Sequence, residues 1–203
     1  MKAMILAAGL GTRLKPLTDT IPKALVEING KTLLEHSIDH LKFFGVKDVI
    51  INVHHFPGRI ISFLKKKKKF GLNIEVSDER DELLDTGGGF KKASWFFKDG
   101  GPFVVRNVDV LSDTNLGAML EFHKKHKPLA TLAVRNRETS RYMLFNERWE
   151  LIGWTNVSTG ERKLSRKITS GCIPLPFQAY RYWIPPSFHL SRRKENFHLS
   201  PCT

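Results

Sequence analysis

Lys2-Ala3-Met4-Ile5-Leu6-Ala7-Ala8-Gly9-Leu10-Gly11-Thr12-Arg13 is the stretch on which the reading of this chain turns. Residues 2–7 are a short apolar run that gives way to Gly9 and Gly11, the form of a buried parallel strand feeding a glycine-rich turn. Downstream, Leu33, Leu34, Ile38, Leu41 and Phe44 recur at helical spacing until Gly45 stops them. Asp48 to Val53 is nearly continuous in β-branched residues and reads as a strand. The alternation continues with a helix over 58–69, a strand over 73–76, a helix over 88–97 and a strand over 103–105. A helix over 115–126 and strands over 130–135, 142–145 and 151–154 complete the periodic part. Strands alternating with helices predict an α/β protein: a mostly parallel, mixed sheet with helices on both faces, a Rossmann-like three-layer α/β/α sandwich. Ligands of such sheets bind beyond the carboxyl ends of the strands, where the first glycine turn lies.

The bulk numbers agree with one globular unit. The chain has 203 residues, 41% of them hydrophobic and 10% aromatic, enough to bury a sizeable core. Its two cysteines, Cys172 and Cys202, have no metal-ligand spacing and form no disulfide framework, which fits a reducing cytoplasm. Charges and glycines follow Ala8 too soon for a signal-peptide core or a membrane span, so no membrane association is expected. The net charge of +13 raises nucleic acid as a partner. Its one dense cluster, Lys65 to Lys69, follows Ile60, Ile61, Phe63 and Leu64 and reads as the solvated last turn of a helix. With no recognition helix, aromatic RNA-binding strand or zinc finger beside it, nucleic acid is not the expected partner.

The turn itself is built for an anion. Small residues let backbone amides approach a phosphate, and Arg13 and Lys23 flank them with charge. A dinucleotide fingerprint would need glycine where Leu14 stands, and a Walker loop needs a Gly-Lys-Ser/Thr that the chain lacks. The longer pattern Gly9-x-Gly11-Thr12-Arg13, Pro16, Thr18, Pro22-Lys23-x-Leu25 resembles the signature of the sugar-1-phosphate nucleotidylyltransferases at every defining place. The resemblance implies the nucleotide-diphospho-sugar transferase fold. It also implies attack of a sugar 1-phosphate on the α-phosphorus of a nucleoside triphosphate, with pyrophosphate released. By resemblance, the amides of Gly9 to Thr12 beside Ala8 hold the triphosphate, Arg13 neutralises the departing phosphates, and Lys23 bridges the α-phosphate and the sugar phosphate. Phosphoryl transfer depends on alignment and charge stabilisation more than on an acid or base, which suits such a set.

Two further segments carry the resemblance. Ser77-Asp78-Glu79 closes a strand and Leu84-Asp85-Thr86-Gly87-Gly88-Gly89 opens a helix, the geometry of a ligand site at a helix N-terminus. It resembles the family's second nucleotide element, which makes Asp78, Thr86, Gly87 and Gly88 the expected contacts to base and ribose. A Thr86 N-cap would account for one glycine but not for three in a row. Arg106-Asn107-Val108-Asp109 puts a carboxylate just past a strand's end. Asp109 is therefore the expected ligand of Mg2+, with Asn107 near the nucleotide. The family reads Asn-Gly-Asp here; Val108 replaces the glycine and is expected to crowd the nucleotide. Together with Arg135-x-Arg137-x-Thr139-Ser140-Arg141, these segments resemble the branch of N-acetylmuramate-1-phosphate uridylyltransferases and mannose-1-phosphate guanylyltransferases, enzymes of nucleotide-sugar and cell-envelope polysaccharide synthesis. UTP is the nucleotide the resemblance favours, GTP the second.

The resemblance runs from Met1 to Lys167 and stops. From residue 168, Pro174, Pro176, Pro185, Pro186 and Pro201 fall among aromatic and basic residues without either period. The organisation expected is a nucleotidyltransferase domain over 1–167 and an aberrant basic tail over 168–203. We read the tail as an out-of-frame translation, because shifted codons of Leu175 to Ala179 permit Ala-Phe-Ser-Gly-Ile, a segment found at this point in the branch. The family's second magnesium-binding aspartate lies beyond this break, and this chain has no aspartate after Asp113. The expectations are reduced turnover or a nucleotide-binding but catalytically impaired fragment, with C-terminal elements missing and self-association through the apolar surface left uncovered.

Overall fold

The computed structural model describes residues 1–134, 138–147, 151–164, 173–183 and 197–201. Arg135, Arg137, Lys167, Cys172, Pro185, Pro186 and Cys202 lie outside them. The chain divides into two compact units, Met1–Asp113 and Thr114–Thr203.

The first unit contains β1 (Lys2–Leu6), β2 (Glu27–Ile28), β3 (Lys31–Thr32), α1 (Leu33–Phe43), β4 (Asp48–Val53), α2 (Pro57–Lys66), β5 (Asn73–Asp78), α3 (Asp85–Ala93) and β6 (Phe103–Asn107). Its sheet runs β6-β1-β4-β5, every pair parallel. Ala3, Met4, Ile5, Val49, Ile50, Ile51, Val104 and Val105 are all at most 1% exposed. Strands buried on both faces produce continuous apolar runs of this kind instead of an alternation. The register aligns Asn107, Leu6, Asn52 and Ser77 across the carboxyl edge of the sheet. The short β2–β3 hairpin leads into α1, whose first turn is closed by a reciprocal capping box: Glu35 N donates to Thr32 Oγ1 and Thr32 N to Glu35 Oε2. Such caps contribute about 1 kcal/mol.

Two helices depart from the periodic reading. α2 ends at Lys66, not Lys69, because Lys68, Lys69 and Phe70 take left-handed backbone before Gly71. Lys65 and Lys66 do occupy its last turn. α3 begins at Asp85, after Leu84, so Thr86 lies inside its first turn and is not its cap; it gives way to a short 3-10 turn over Ser94–Phe97.

The second unit contains α4 (Leu116–His126), β7 (Ala130–Val134), β8 (Arg141–Phe145), β9 (Leu151–Asn156), β10 (Arg162–Leu164), β11 (Ile173–Trp183) and β12 (Phe197–Pro201). Asn115 caps α4, its side chain accepting from Ala118 N. β8, β9 and β10 form an antiparallel meander. β11 pairs with β8 through Ile173–Pro176 and with β7 from Phe177 to Trp183, the register shifting between Phe177 and Arg181. Periodicity shows no strand here, yet one runs through Pro174 and Pro176. Successive N–H groups of a strand point to opposite sides, so prolines two residues apart remove donors from one edge only.

Candidate functional site

The phosphate turn owes its shape to Gly11. Its φ of +71° lies in the left-handed region, which costs an L-residue about 1–2 kcal/mol. A Cβ there would also come within 2.8 Å of Thr18 Cγ2 and 3.2 Å of Lys23 Cβ. Gly11 therefore lets the loop close on Thr18 and on the stem of Lys23. Thr18, 1% exposed, donates from Oγ1 to Gly11 O at 2.9 Å. Its own carbonyl is met by His55 Nε2 at 3.0 Å. Gly9 differs: it is exposed, and a Cβ there would meet nothing within 4 Å. Nothing among the described residues requires a glycine at that place, whereas a ligand lying against the backbone would.

Ala8 is buried beneath the turn, and Thr12 and Arg13 are exposed upon it. Among the described residues, the N–H groups of Gly9, Leu10, Gly11 and Thr12 have no acceptor, and Arg13 has no hydrogen-bond or ion-pair partner. Four undirected amides beside a guanidinium make an anion cradle.

Lys23 stands at the start of a 3-10 turn after Pro22, and its ammonium forms an ion pair with Asp109 Oδ2. Asp109 sits two residues beyond β6, in the turn where Val110 N donates to Asn107 O at 3.3 Å. That turn is held from beneath by Arg106, 1% exposed, which donates to Val110 O at 2.7 Å and Ser37 O at 3.2 Å. Ser37 Oγ donates to Val108 O at 3.3 Å. Val108 is itself 3% exposed and bonds Leu6 O through its N–H. Its side chain is thus taken up by the interior and does not stand at the solvent-facing side of the turn, where crowding was expected.

The Asp109 carboxylate has the donor chemistry that a magnesium ion takes. Hard cations of that size are held by one or two carboxylates and complete their shell with water and phosphate oxygens. Among the described residues, Asp109 Oδ1 has no hydrogen-bond partner. Among the described residues no group of three His, Cys, Asp or Glu side chains could form a protein-only cage.

In the Leu84–Gly89 segment, Thr86 and Gly87 are exposed at the start of α3, and a Cβ on Gly87 would meet nothing within 4 Å. Gly88 is opposed by its own helix's Leu84. Asp78 is committed elsewhere: its carboxylate accepts Arg80 N at 3.0 Å and Arg80 Nε at 2.9 Å, and its carbonyl accepts Lys92 Nζ. The Arg80 guanidinium holds the Asp78 carboxyl below the ordinary range. The buried acid next to it in the chain is Glu79, 1% exposed, which accepts Asn52 Nδ2 at 2.9 Å. Asn52 in turn accepts Ala7 N at 2.8 Å.

Asn52 and His55 escape a sequence reading, and Thr18, Glu79 and Arg106, though inside the quoted motifs, gain their supporting roles only in the fold. The apolar β4 run masks Asn52, and only the hydrophobic-to-polar break at Asn52-Val53-His54-His55 could have flagged this strand end. The 3-10 turn brings Lys23 to Asp109, and Gly11 to Lys23; Asp78 and Asp109 have no contact with one another.

The matches to known proteins follow the same segments. The nucleotidyl transferase family model matches residues 2–145. A mannose-1-phosphate guanyltransferase of Yarrowia lipolytica is 43% identical over 145 residues, which are 70% of this chain and 40% of that protein. An N-acetylmuramate alpha-1-phosphate uridylyltransferase of Caulobacter vibrioides is 43% identical over 121 residues, 59% of this chain and 50% of that protein. The matched segment thus spans about half or less of these relatives' length. In fold, the chain resembles HddC from Yersinia pseudotuberculosis complexed with GMP-PN, with a TM-score of 0.73 and 20% identity over 99% of this chain and 90% of that one. With the glycine turn, the helix-start glycines and the strand-end aspartate all inside the matched residues, this chain belongs to the nucleotidyl transferase family.

Proposed function

We propose that this chain binds a nucleoside triphosphate on the Gly9–Arg13 turn and transfers its nucleotidyl group to a sugar 1-phosphate. A phosphate oxygen of the sugar 1-phosphate bonds to the α-phosphorus. The bond from that phosphorus to the bridging oxygen breaks, and its electron pair leaves with pyrophosphate. The observation that carries the reading is the cradle of four free amides and a free Arg13 beside the Lys23–Asp109 pair. The amides orient the phosphates, and Arg13 neutralises charge that gathers on the leaving pyrophosphate. Lys23, once parted from Asp109, places an ammonium on the reacting phosphate. Asp109 and the substrate phosphates would hold Mg2+, which supplies charge neutralisation and alignment when bound. The exposed backbone of Thr86 and Gly87 offers a surface for base and ribose.

The nucleobase we assign is uridine, with guanosine second; the longer match to a guanyltransferase supports the second assignment. A cytoplasmic site of action fits nucleoside triphosphate chemistry, and among the described residues no helix is long and apolar enough to cross a membrane. A second reading is nucleotide binding without turnover, in which the Lys23–Asp109 pair stays closed. A coupled pyrophosphate-release assay with UTP, GTP, dTTP and ATP against a panel of sugar 1-phosphates tests both. Release with one pair establishes transfer. Calorimetric binding without release selects the second reading, and neither signal rejects both.

A further inference from the structure

Asn52 stands at the carboxyl end of β4, between Leu6 of β1 and Ser77 of β5 in the register. It is 3% exposed, and its amide is used on both sides. The carbonyl end accepts the N–H of Ala7, the residue that enters the phosphate turn, at 2.8 Å. The amino end donates to Glu79 Oε1 at 2.9 Å. Glu79 lies 1% exposed, and its Oε2 has no hydrogen-bond partner among the described residues. Gly89 of α3 packs onto this pair so closely that a Cβ would come 2.9 Å from Glu79 Oε1 and 3.0 Å from Asn52 Nδ2. The backbone of Glu79 is tied down as well: its N–H donates to Val53 O at 2.7 Å, and His54 Nδ1 donates to its carbonyl at 2.6 Å.

One side chain therefore connects the start of the phosphate turn to the seat of α3, whose first turn carries Thr86 and Gly87. We infer that Asn52 is a positioning residue for the nucleotide: through Ala7 and the Glu79–Gly89 contact it sets the distance between the phosphate cradle and the base-side helix start. The inference rests on the nucleotide reading of the two segments given above. Neither Asn52 nor Glu79 needs to touch the nucleotide, and their burial at 3% and 1% keeps them beneath the site. A buried amide is suited to the task because it offers an acceptor and a donor on one rigid plane without carrying a charge. Leaving either buried partner unsatisfied is costly, so the spacing is stiffly held.

A ligand that engages only the cradle should be indifferent to this spacing, whereas one that spans cradle and helix should not. Binding of inorganic tripolyphosphate and of the nucleoside triphosphate that binds best is measured by calorimetry on the full chain with magnesium, alongside thermal denaturation. Asn52→Asp sets a carboxylate against Glu79, and the double variant Asn52→Asp with Glu79→Gln restores the hydrogen bond with its polarity reversed. We expect Asn52→Asp to weaken the nucleoside triphosphate by about tenfold or more and tripolyphosphate by less than about threefold, and the double variant to recover most of the loss. Gly89→Ala, which keeps both side chains present but pushes its methyl against them and favours helix, gives the same selective loss and serves if Asn52→Asp does not fold. Equal losses for the two ligands, unchanged nucleoside affinity, or a folded double variant without recovery would overturn the positioning role while leaving the nucleotide reading intact. A wild-type chain that binds neither ligand would overturn both.

Discussion

The Lys23 ammonium and the Asp109 carboxylate, 86 positions apart in the chain, form an ion pair that is part-buried at the carboxyl edge of the sheet. In the proposed reaction Lys23 serves a phosphate and Asp109 a metal, and in the structure these two charges neutralise each other. The pair has to separate before either serves the reaction. Asp109→Asn, which frees Lys23, should raise the affinity for tripolyphosphate in the presence of a chelator by roughly three- to tenfold, the range of a part-exposed ion pair. With magnesium the order reverses, and the variant binds more weakly than wild type. Unchanged metal-free affinity would show that the pair does not restrain Lys23.

The two glycines of the phosphate turn should separate stability from binding. Gly11→Ala forces a left-handed backbone and a contact with Thr18, at about 1–3 kcal/mol of stability. Gly9→Ala places its methyl in open space and should leave the denaturation midpoint unchanged while weakening nucleoside triphosphate binding by about tenfold or more. Urea denaturation and calorimetry on both variants check the contrast; a stable Gly9→Ala protein with full affinity would remove that glycine from the cradle.

Arg106 supports the Asp109 turn from within the sheet. Arg106→Met removes the donor to the part-buried Val110 O and to the buried Ser37 O, and the acceptors left behind should cost about 1–3 kcal/mol in urea denaturation. Magnesium-dependent tripolyphosphate binding should fall with it, whereas metal-free binding to the amide cradle should change little.

His123 predicts how the second unit responds to acid. It is 1% exposed and bonds Thr131 Oγ1 through Nδ1 at 2.9 Å, and burial pushes its pKa below the ordinary histidine value. The unfolded chain therefore takes up a proton that the folded unit resists. Above the ordinary histidine value of about 6.5 both states are neutral and the group has no effect; as pH falls below it, stability is lost. Thermal denaturation between pH 8 and 5.5 should show a falling midpoint, and His123→Phe should flatten that limb. Asp78 and Glu35, whose carboxyls lie below their ordinary values, contribute stability that is lost only in the carboxylate range, so the two effects separate along the pH axis.

Much of this protein is legible in its sequence because the relevant physics is local. Alternating apolar runs and helical periods determine a parallel α/β sheet, since strands buried on both faces must be apolar throughout. The Gly9-to-Leu25 string determines the family, since a backbone approached by phosphates tolerates few residue types. Pro174 and Pro176 mislead the same reading, because which edge of a strand loses its donors depends on the partner across it. The roles within the site are likewise decided by tertiary structure. Asp78 looks available until Arg80 closes on it, and Val108 looks obstructive until the turn buries it. Asn52 looks like one polar residue at the end of an apolar strand. Only the parallel register, which sets β4 between Leu6 and Ser77, brings its single amide within hydrogen-bond reach of Ala7 and Glu79, and hydrogen bonds over such short distances are not encoded in any one segment.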